Sequence, residues 1–344
     1  MIFFSYKNTQ VVGLVNAVPA NKLKIDNKEF KVSQKKQTTS DLGFEAATFL
    51  LDSKKINKEQ IGVLIFLSKT PDYRGPATAM VLQHRLGIPM DCIVYDAPNG
   101  NAGFEQGLNL GASLLQNSSK RFALVIVGDT ISKQLNKKDL NELNFQDGAS
   151  AILLENNKIG ANLFFGVLTL SDNWKDIMVP SGGFKNTPVF FDELPGKRLY
   201  QLKEHFHINV DNFDNKLSSS FSKVNKQINK LLLEDQKTNF VIIVNFLLSS
   251  LENSFKAILT NNENTRVKII LQSEIGLNAM ASTSPSVLAQ LYEKNDFYDL
   301  KIITLSLGEG LSINMAVFDL DNETIMKTIA TNQFFENGQV SHEM

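Results

Sequence analysis

One order of strands and helices is written twice along this chain, and that repetition limits the folds open to it. In the first half "DLGFEAATFLLDSKKI" carries apolar residues at helical spacing, Leu42, Ala46, Phe49 and Leu50, with Thr39 or Ser40 available as N-cap. "IGVLIFLS" is a continuous apolar run of strand length, the mark of a strand buried on both faces of a parallel sheet. A short helix "ATAMVLQHRLG" stopped by Gly87, a strand "CIVYD", a helix "AGFEQGLNLGASLLQNS" and strands "RFALVIVGD" and "GASAILLE" complete it. The second half repeats the order with "ANLFFGVLTL", "FDNKLSSSFSKVNKQINKLLLE", "NFVIIVNFLL", "RVKIILQ", "SPSVLAQLYEK", "LKIITLSL" and "GLSINMAVFDL". Each half reads β-α-β-α-β-α-β-β. The pattern predicts an α/β fold from two duplicated halves, residues 1–158 and 159–344, the second with a loop insertion over about 171–213.

Composition narrows the function classes. The 344 residues include 43% hydrophobic and 21% charged side chains, as in ordinary globular proteins. A formal net charge of −1, without a basic stripe, argues against a nucleic-acid partner. No apolar run approaches the ~20 residues of a membrane span, and the start lacks the layout of a signal peptide, so a soluble cytoplasmic protein is expected. One cysteine, Cys92, excludes an intramolecular disulfide and a cysteine-based metal site; it reads as a buried core residue. His205 and His207 would share one face of a strand, but no third ligand accompanies them, so no metal site is expected.

Several strings then meet a known family. "TTSDLGFEAATFLL", "TPDYRGPATAMVLQHRLGIP", "VGDTISK", "FQDGASAILLE" and "LSLGEGLSINMAVFDL" occur in the order and close to the form found in β-ketoacyl-acyl-carrier-protein synthase III. The chain resembles that branch of the thiolase-fold enzymes over nearly its whole length. The resemblance implies a five-layered α-β-α-β-α sandwich, a dimer, no cofactor, and a Cys-His-Asn site that takes acyl groups from CoA or acyl carrier protein. The cysteine acts as a thiolate at a helix N-terminus, and the other two groups serve decarboxylation and the oxyanion.

The same alignment removes the nucleophile. The family's D-x-x-x-x-C-S-G-F string meets "DAPNGNAGF", where Asp96, Gly103 and Phe104 match without a gap and Asn101 takes the cysteine position. An amide is neither nucleophilic nor ionisable near neutral pH. The histidine position falls on Ile243 by ungapped counting, or on Asn245 with a two-residue shift. The asparagine position falls on Asn278 when anchored at Pro285 and on Leu277 when anchored at Gly276. Ser306, Gly308 and Gly310 occupy the oxyanion turn, and no lysine follows to make it a nucleotide-phosphate loop. The segment that holds the CoA nucleotide in the family is cut to "NKEFKVSQKKQ", with Lys31, Lys35 and Lys36. Lys185, Lys197 and Arg198 in the insertion are candidates for docking a carrier protein.

The expectation is therefore a catalytically degenerate, non-condensing subunit that pairs with a cysteine-bearing homologue in fatty-acyl or polyketide-type biosynthesis. An acyltransferase handling acyl-CoA or acyl-carrier-protein thioesters without a cysteine is the alternative, and a binding scaffold the third reading.

Overall fold

The run Phe122–Asp129 (β7) shows why the central strands lack a polar face. Ala123, Val125 and Val127 point into the middle of the molecule, while Leu124 and Ile126 point to an outer layer. Both faces are covered, so the alternation pairs apolar with apolar. A computed structural model describes residues 1–135, 138, 142–156, 159–179, 207–208, 213–236, 238–260, 266–294 and 300–336.

The strands in chain order are β1 (Ile2–Lys7), β2 (Gln10–Pro19), β3 (Lys22–Ile25), β4 (Lys28–Lys31), β5 (Ile61–Leu67) and β6 (Ile93–Ala97), followed by β7 and β8 (Gly148–Glu155). The second half has β9 (Asn162–Thr169), β10 (Ile177–Met178), β11 (His207–Ile208), β12 (Asn239–Asn245), β13 (Val267–Leu271), β14 (Leu300–Gly308), β15 (Ser312–Leu320) and β16 (Ile325–Thr331). Its described helices are α1 (Thr39–Ser53), α2 (Thr78–Leu86), α3 (Gly103–Gln116), α4 (Phe213–Glu234), α5 (Ser249–Thr260), the single turn α6 (Gln272–Ile275) and α7 (Thr283–Lys294).

Two six-stranded sheets run β16-β2-β8-β7-β5-β6 and β1-β9-β15-β14-β12-β13. Five consecutive positions correspond one to one, β2-β8-β7-β5-β6 against β9-β15-β14-β12-β13, which is the duplication seen in three dimensions. The remaining edge strands are exchanged. β1, from the start of the chain, pairs antiparallel with β9, and β16, from near its end, pairs parallel with β2. Neither strand figured in the sequence pattern.

The layers follow from where apolar faces meet. α1 and α2 cover one side of the first sheet through Leu42, Ala46, Leu50, Leu82 and Leu86. α3 and α7 lie between the sheets, α3 touching β5 and β7 on one side and β9 and β15 on the other. α4 and α5 close the far side of the second sheet, where Phe221, Phe246 and Phe255 pack with ring centroids 5.0–5.3 Å apart. This is the five-layered thiolase fold.

Local chemistry refines three expectations. The N-cap of α1 is Thr38, not Thr39 or Ser40: its hydroxyl accepts from the Asp41 N–H, and Asp41 accepts from the Thr38 N–H, a reciprocal cap. The lysine-rich string opens with β4, which forms a hairpin with β3 where Leu23 pairs with Phe30 and Phe30 is buried. Lys31 ends that hairpin, and Lys35 and Lys36 follow it exposed. Cys92 is half-buried beside the edge strand β6 rather than in the core. Among the described residues no helix is long and apolar enough to cross a membrane. Most of the 171–213 insertion lies outside the described residues; β10 and β11 pair within it.

Candidate functional site

Asp96 lies in β6, just before the turn into α3. Its carboxylate accepts from the Thr78 and Ala79 N–H groups at 2.6 and 2.7 Å, capping α2 and fixing the end of β6. The chain then turns, with Gly103 N–H donating to Gly100 O at 2.7 Å, and α3 begins without a side-chain cap. Asn101 sits in this turn, 1% exposed. Its Nδ2 donates to Asn245 O at 3.1 Å and to Leu307 O at 3.0 Å. A carbonyl oxygen can only accept, so these two contacts fix which end of the amide is nitrogen. The Asn101 Oδ1 is buried without a hydrogen bond.

Asn245 ends β12. Period two places it on the face of Val241 and Ile243, toward the middle layer. Of the two readings for the histidine position, Ile243 is core between the sheets, whereas Asn245 meets Asn101. The Asn245 side chain is fully buried, and neither its Nδ2 nor its Oδ1 has a hydrogen-bond partner.

Asn278 faces elsewhere. Its Nδ2 donates to Leu143 O at 3.3 Å and its Oδ1 accepts from Met280 N–H at 3.3 Å, so it secures its own turn against the segment before β8. Its neighbour Leu277 donates nothing from its side chain and accepts from Gln272 through its carbonyl. The Ser306 hydroxyl donates to Glu105 Oε2 at 2.7 Å. Gly308 must be glycine, since a Cβ there would lie 2.8 Å from Ser312 Oγ and 2.9 Å from Ala102 Cβ at the start of α3. Gly310 has φ +71° and its N–H donates to Ile177 O. Lys185, Lys197, Arg198 and His205 lie outside the described residues; His207 is in β11.

The structure adds charged groups that motif matching did not single out. Glu309, inside the Gly-rich turn, is 9% exposed at its side chain and lies 3.5 Å from Lys69 Nζ through Oε1, an ion pair without a hydrogen bond. That carboxylate stands over Gly100, where a Cβ would be 2.1 Å from Oε1. Glu105, on the first turn of α3, is wholly buried and accepts from Ser284 and Ser306; burial raises its pKa, and the Ser306 hydroxyl opposes that rise. Asp129 accepts from Lys69 N–H at 2.6 Å and Ala281 N–H at 3.3 Å, and burial pushes its pKa up to about 7, with the charge of Glu309 adding to the rise. A buried charge shows in sequence only as a charged letter in an apolar neighbourhood, as in "LSLGEGL", and that was the available signal.

Among the described residues no cluster of His, Cys, Asp and Glu could hold a metal ion. The thiol of Cys92 is pushed up to about 11, first by burial and then by Asp91, which removes thiolate character near neutral pH. The centre therefore has no thiol or hydroxyl nucleophile at residue 101. It offers amides, a carboxylate and the positive end of a helix.

Comparison with known proteins agrees with the fold. A family model for 3-oxoacyl-[acyl-carrier-protein] synthase III matches residues 95–172, which include Asn101. The chain is 27% identical over 284 residues to a putative 3-oxoacyl-[acyl-carrier-protein] synthase 3 of Campylobacter jejuni, covering 81% of this chain and 78% of that protein. It is 26% identical over 304 residues to a β-ketoacyl-[acyl-carrier-protein] synthase III of Clostridium perfringens, covering 83% and 85%. A 3-oxoacyl-(acyl-carrier-protein) synthase structure from Burkholderia xenovorans superposes with a TM-score of 0.79 over 96% of this chain and 99% of that one, at 24% identity. By sequence the chain is similar to 3-oxoacyl-acyl-carrier-protein synthases III, and it shares their thiolase fold.

Proposed function

We propose that the chain is a non-condensing subunit that pairs with a cysteine-bearing homologue in fatty-acyl or polyketide-type biosynthesis. The observation that carries this reading is Asn101. The residue at the nucleophile position spends both amide hydrogens on backbone carbonyls of the second sheet, so it is built into the frame rather than presented to a substrate.

A second observation supports pairing. β6 is an edge strand, with ladder bonds to β5 on one side only. An edge strand offers unpaired N–H and C=O groups to another chain. Along it Ile93 and Tyr95 are 43% and 52% exposed, beside Met90 at 98% and Met80 of α2 at 53%. That apolar set, flanking a free edge, fits a second chain of the same fold.

The test is co-expression of the full chain, tagged, with each cysteine-bearing synthase III of the same genome, followed by purification and native mass spectrometry. A one-to-one complex with one of them is expected. A homodimer that never exchanges with any of them overturns the reading. An acyltransferase working on thioesters without a cysteine is the second reading, favoured by the unbonded buried amide of Asn245.

A further inference from the structure

Eleven buried side-chain atoms of the described residues lack a hydrogen bond, and four of them belong to the three residues that meet at the start of α3. They are Asn101 Oδ1, Asn245 Nδ2, Asn245 Oδ1 and Glu309 Oε1. The residues are tied together. Asn101 bonds the backbone of Asn245 and of Leu307, two residues before Glu309, and the Glu309 carboxylate lies over Gly100. Burying a polar atom unbonded costs about 1–3 kcal/mol, so such a concentration calls for partners that the neighbouring side chains do not supply. Asn245 supplies the second, independent sign beyond the helix terminus, since its amide is fully buried with both ends unbonded.

The chemistry of the four atoms says what the ligand needs. Three accept and one donates, so a water molecule that donates to a carboxylate suits Glu309, and a carbonyl oxygen suits the Asn245 N–H. Lys69 lies against Glu309 with its side chain 24% exposed, which places the carboxylate between the buried amides and solvent. α3, 14 residues long and uncapped by any side chain, directs its positive end at the same place.

We propose that this centre hydrolyses acyl thioesters, with Glu309 as general base and the Asn245 amide as oxyanion donor. The inference rests on the reading that the chain handles thioesters. Glu309 accepts a proton from water as the water oxygen bonds to the thioester carbonyl carbon. The resulting oxyanion takes the Asn245 N–H and the helix terminus as partners. The C–S bond then breaks, the thiolate leaves with the proton that Glu309 returns, and a carboxylic acid and a thiol are formed. No acyl-enzyme is required, which matches a centre with no nucleophile at residue 101.

The test uses the purified full chain with acetyl-, octanoyl- and palmitoyl-CoA in ¹⁸O-water, the released acid being followed by mass spectrometry. Acid carrying one solvent oxygen is expected at a rate above buffer. Glu309→Gln is expected to lower that rate at least tenfold, and Glu309→Asp, which keeps the carboxylate, to fall between the two. Acid release no faster than buffer, or a Glu309→Gln rate equal to the parent, overturns the proposal. A thioether analogue of octanoyl-CoA separates the two layers. Binding without hydrolysis sinks the hydrolysis proposal alone, whereas no binding sinks the thioester reading beneath it. Complex formation with a homologue is read from particle mass and is independent of both.

Discussion

Replacing Asn101 by aspartate tests the site at its most specific point. The two residues are nearly isosteric, so packing is retained, but both N–H donors are lost. A carboxylate oxygen then faces the carbonyls of Asn245 and Leu307, now 3.1 and 3.0 Å from a donor. Each buried hydrogen bond contributes about 1 kcal/mol net, so Asn101→Ala, which deletes both bonds, should cost about 2 kcal/mol. It also removes the unbonded Oδ1, which trims that cost. Asn101→Asp deletes the same bonds and adds an unpaired buried charge, so its cost should reach about 3 kcal/mol or more. Thermal unfolding of the full chain reads this ranking directly. The fall is roughly 2–4 °C per kcal/mol in domains of about 200 residues and smaller in a longer chain. The expected order is parent above Asn101→Ala above Asn101→Asp. An aspartate variant as stable as the parent would refute the claim that the amide nitrogen clamps the two strands.

Three further outcomes follow from the same geometry. Gly100→Ala should displace Glu309, because the new Cβ would lie 2.1 Å from Oε1; overpacking of this kind costs about 1–3 kcal/mol, read as a lower thermal midpoint that Glu309→Ala restores in the double variant. Asp129 has a folded pKa raised to about 7 from 3.8, so the folded chain holds a proton that the unfolded chain releases between those values, and stability should fall as pH rises through that window; Asp129→Asn should flatten this part of the midpoint-against-pH curve, and an unchanged slope would remove Asp129 as its source. Ile93→Lys, on the exposed edge of β6, should abolish the complex with a homologous subunit on gel filtration while leaving the circular dichroism spectrum intact.

How much of the fold was legible depends on which forces shape each element. β5, β7, β12 and β14 are apolar through both faces and announce themselves as central strands. α3 and α4 carry their apolar residues at helical spacing, and the ends of α4 fall where the pattern places them, those of α3 within two residues. β1 and β16 escaped because an edge strand is half exposed and mixed in composition, and its sheet is chosen by a partner far away in sequence. Ile2–Lys7 finds β9 some 160 residues on, by the register Ile2 to Val167, and nothing local encodes that choice. The hairpin β3–β4 escaped for a related reason: its lysines mask an alternation in which Phe30 alone is buried.

The site divides along the same line. The alignment assigns position 101 without a gap because Asp96, Gly103 and Phe104 keep a fixed distance along one turn, and in the structure Asp96 caps α2. Position 245 stayed ambiguous because the alignment allowed two registers two residues apart. Period two sends both to the same face of β12, so sequence pattern alone cannot choose between them; in the structure they differ in depth, Ile243 lying in the core and Asn245 at the strand's end beside Asn101. Glu309 lay outside motif matching altogether, because its position in the Gly-rich turn is a variable one in the family string. Only the fold of β14 back onto the start of α3 brings its carboxylate over Gly100. The residues that set a nucleophile position are local and leave a signature in spacing. Those that would set the chemistry of a centre without a nucleophile are brought together by the two sheets, which is why Asn245 and Glu309 gain meaning only in three dimensions.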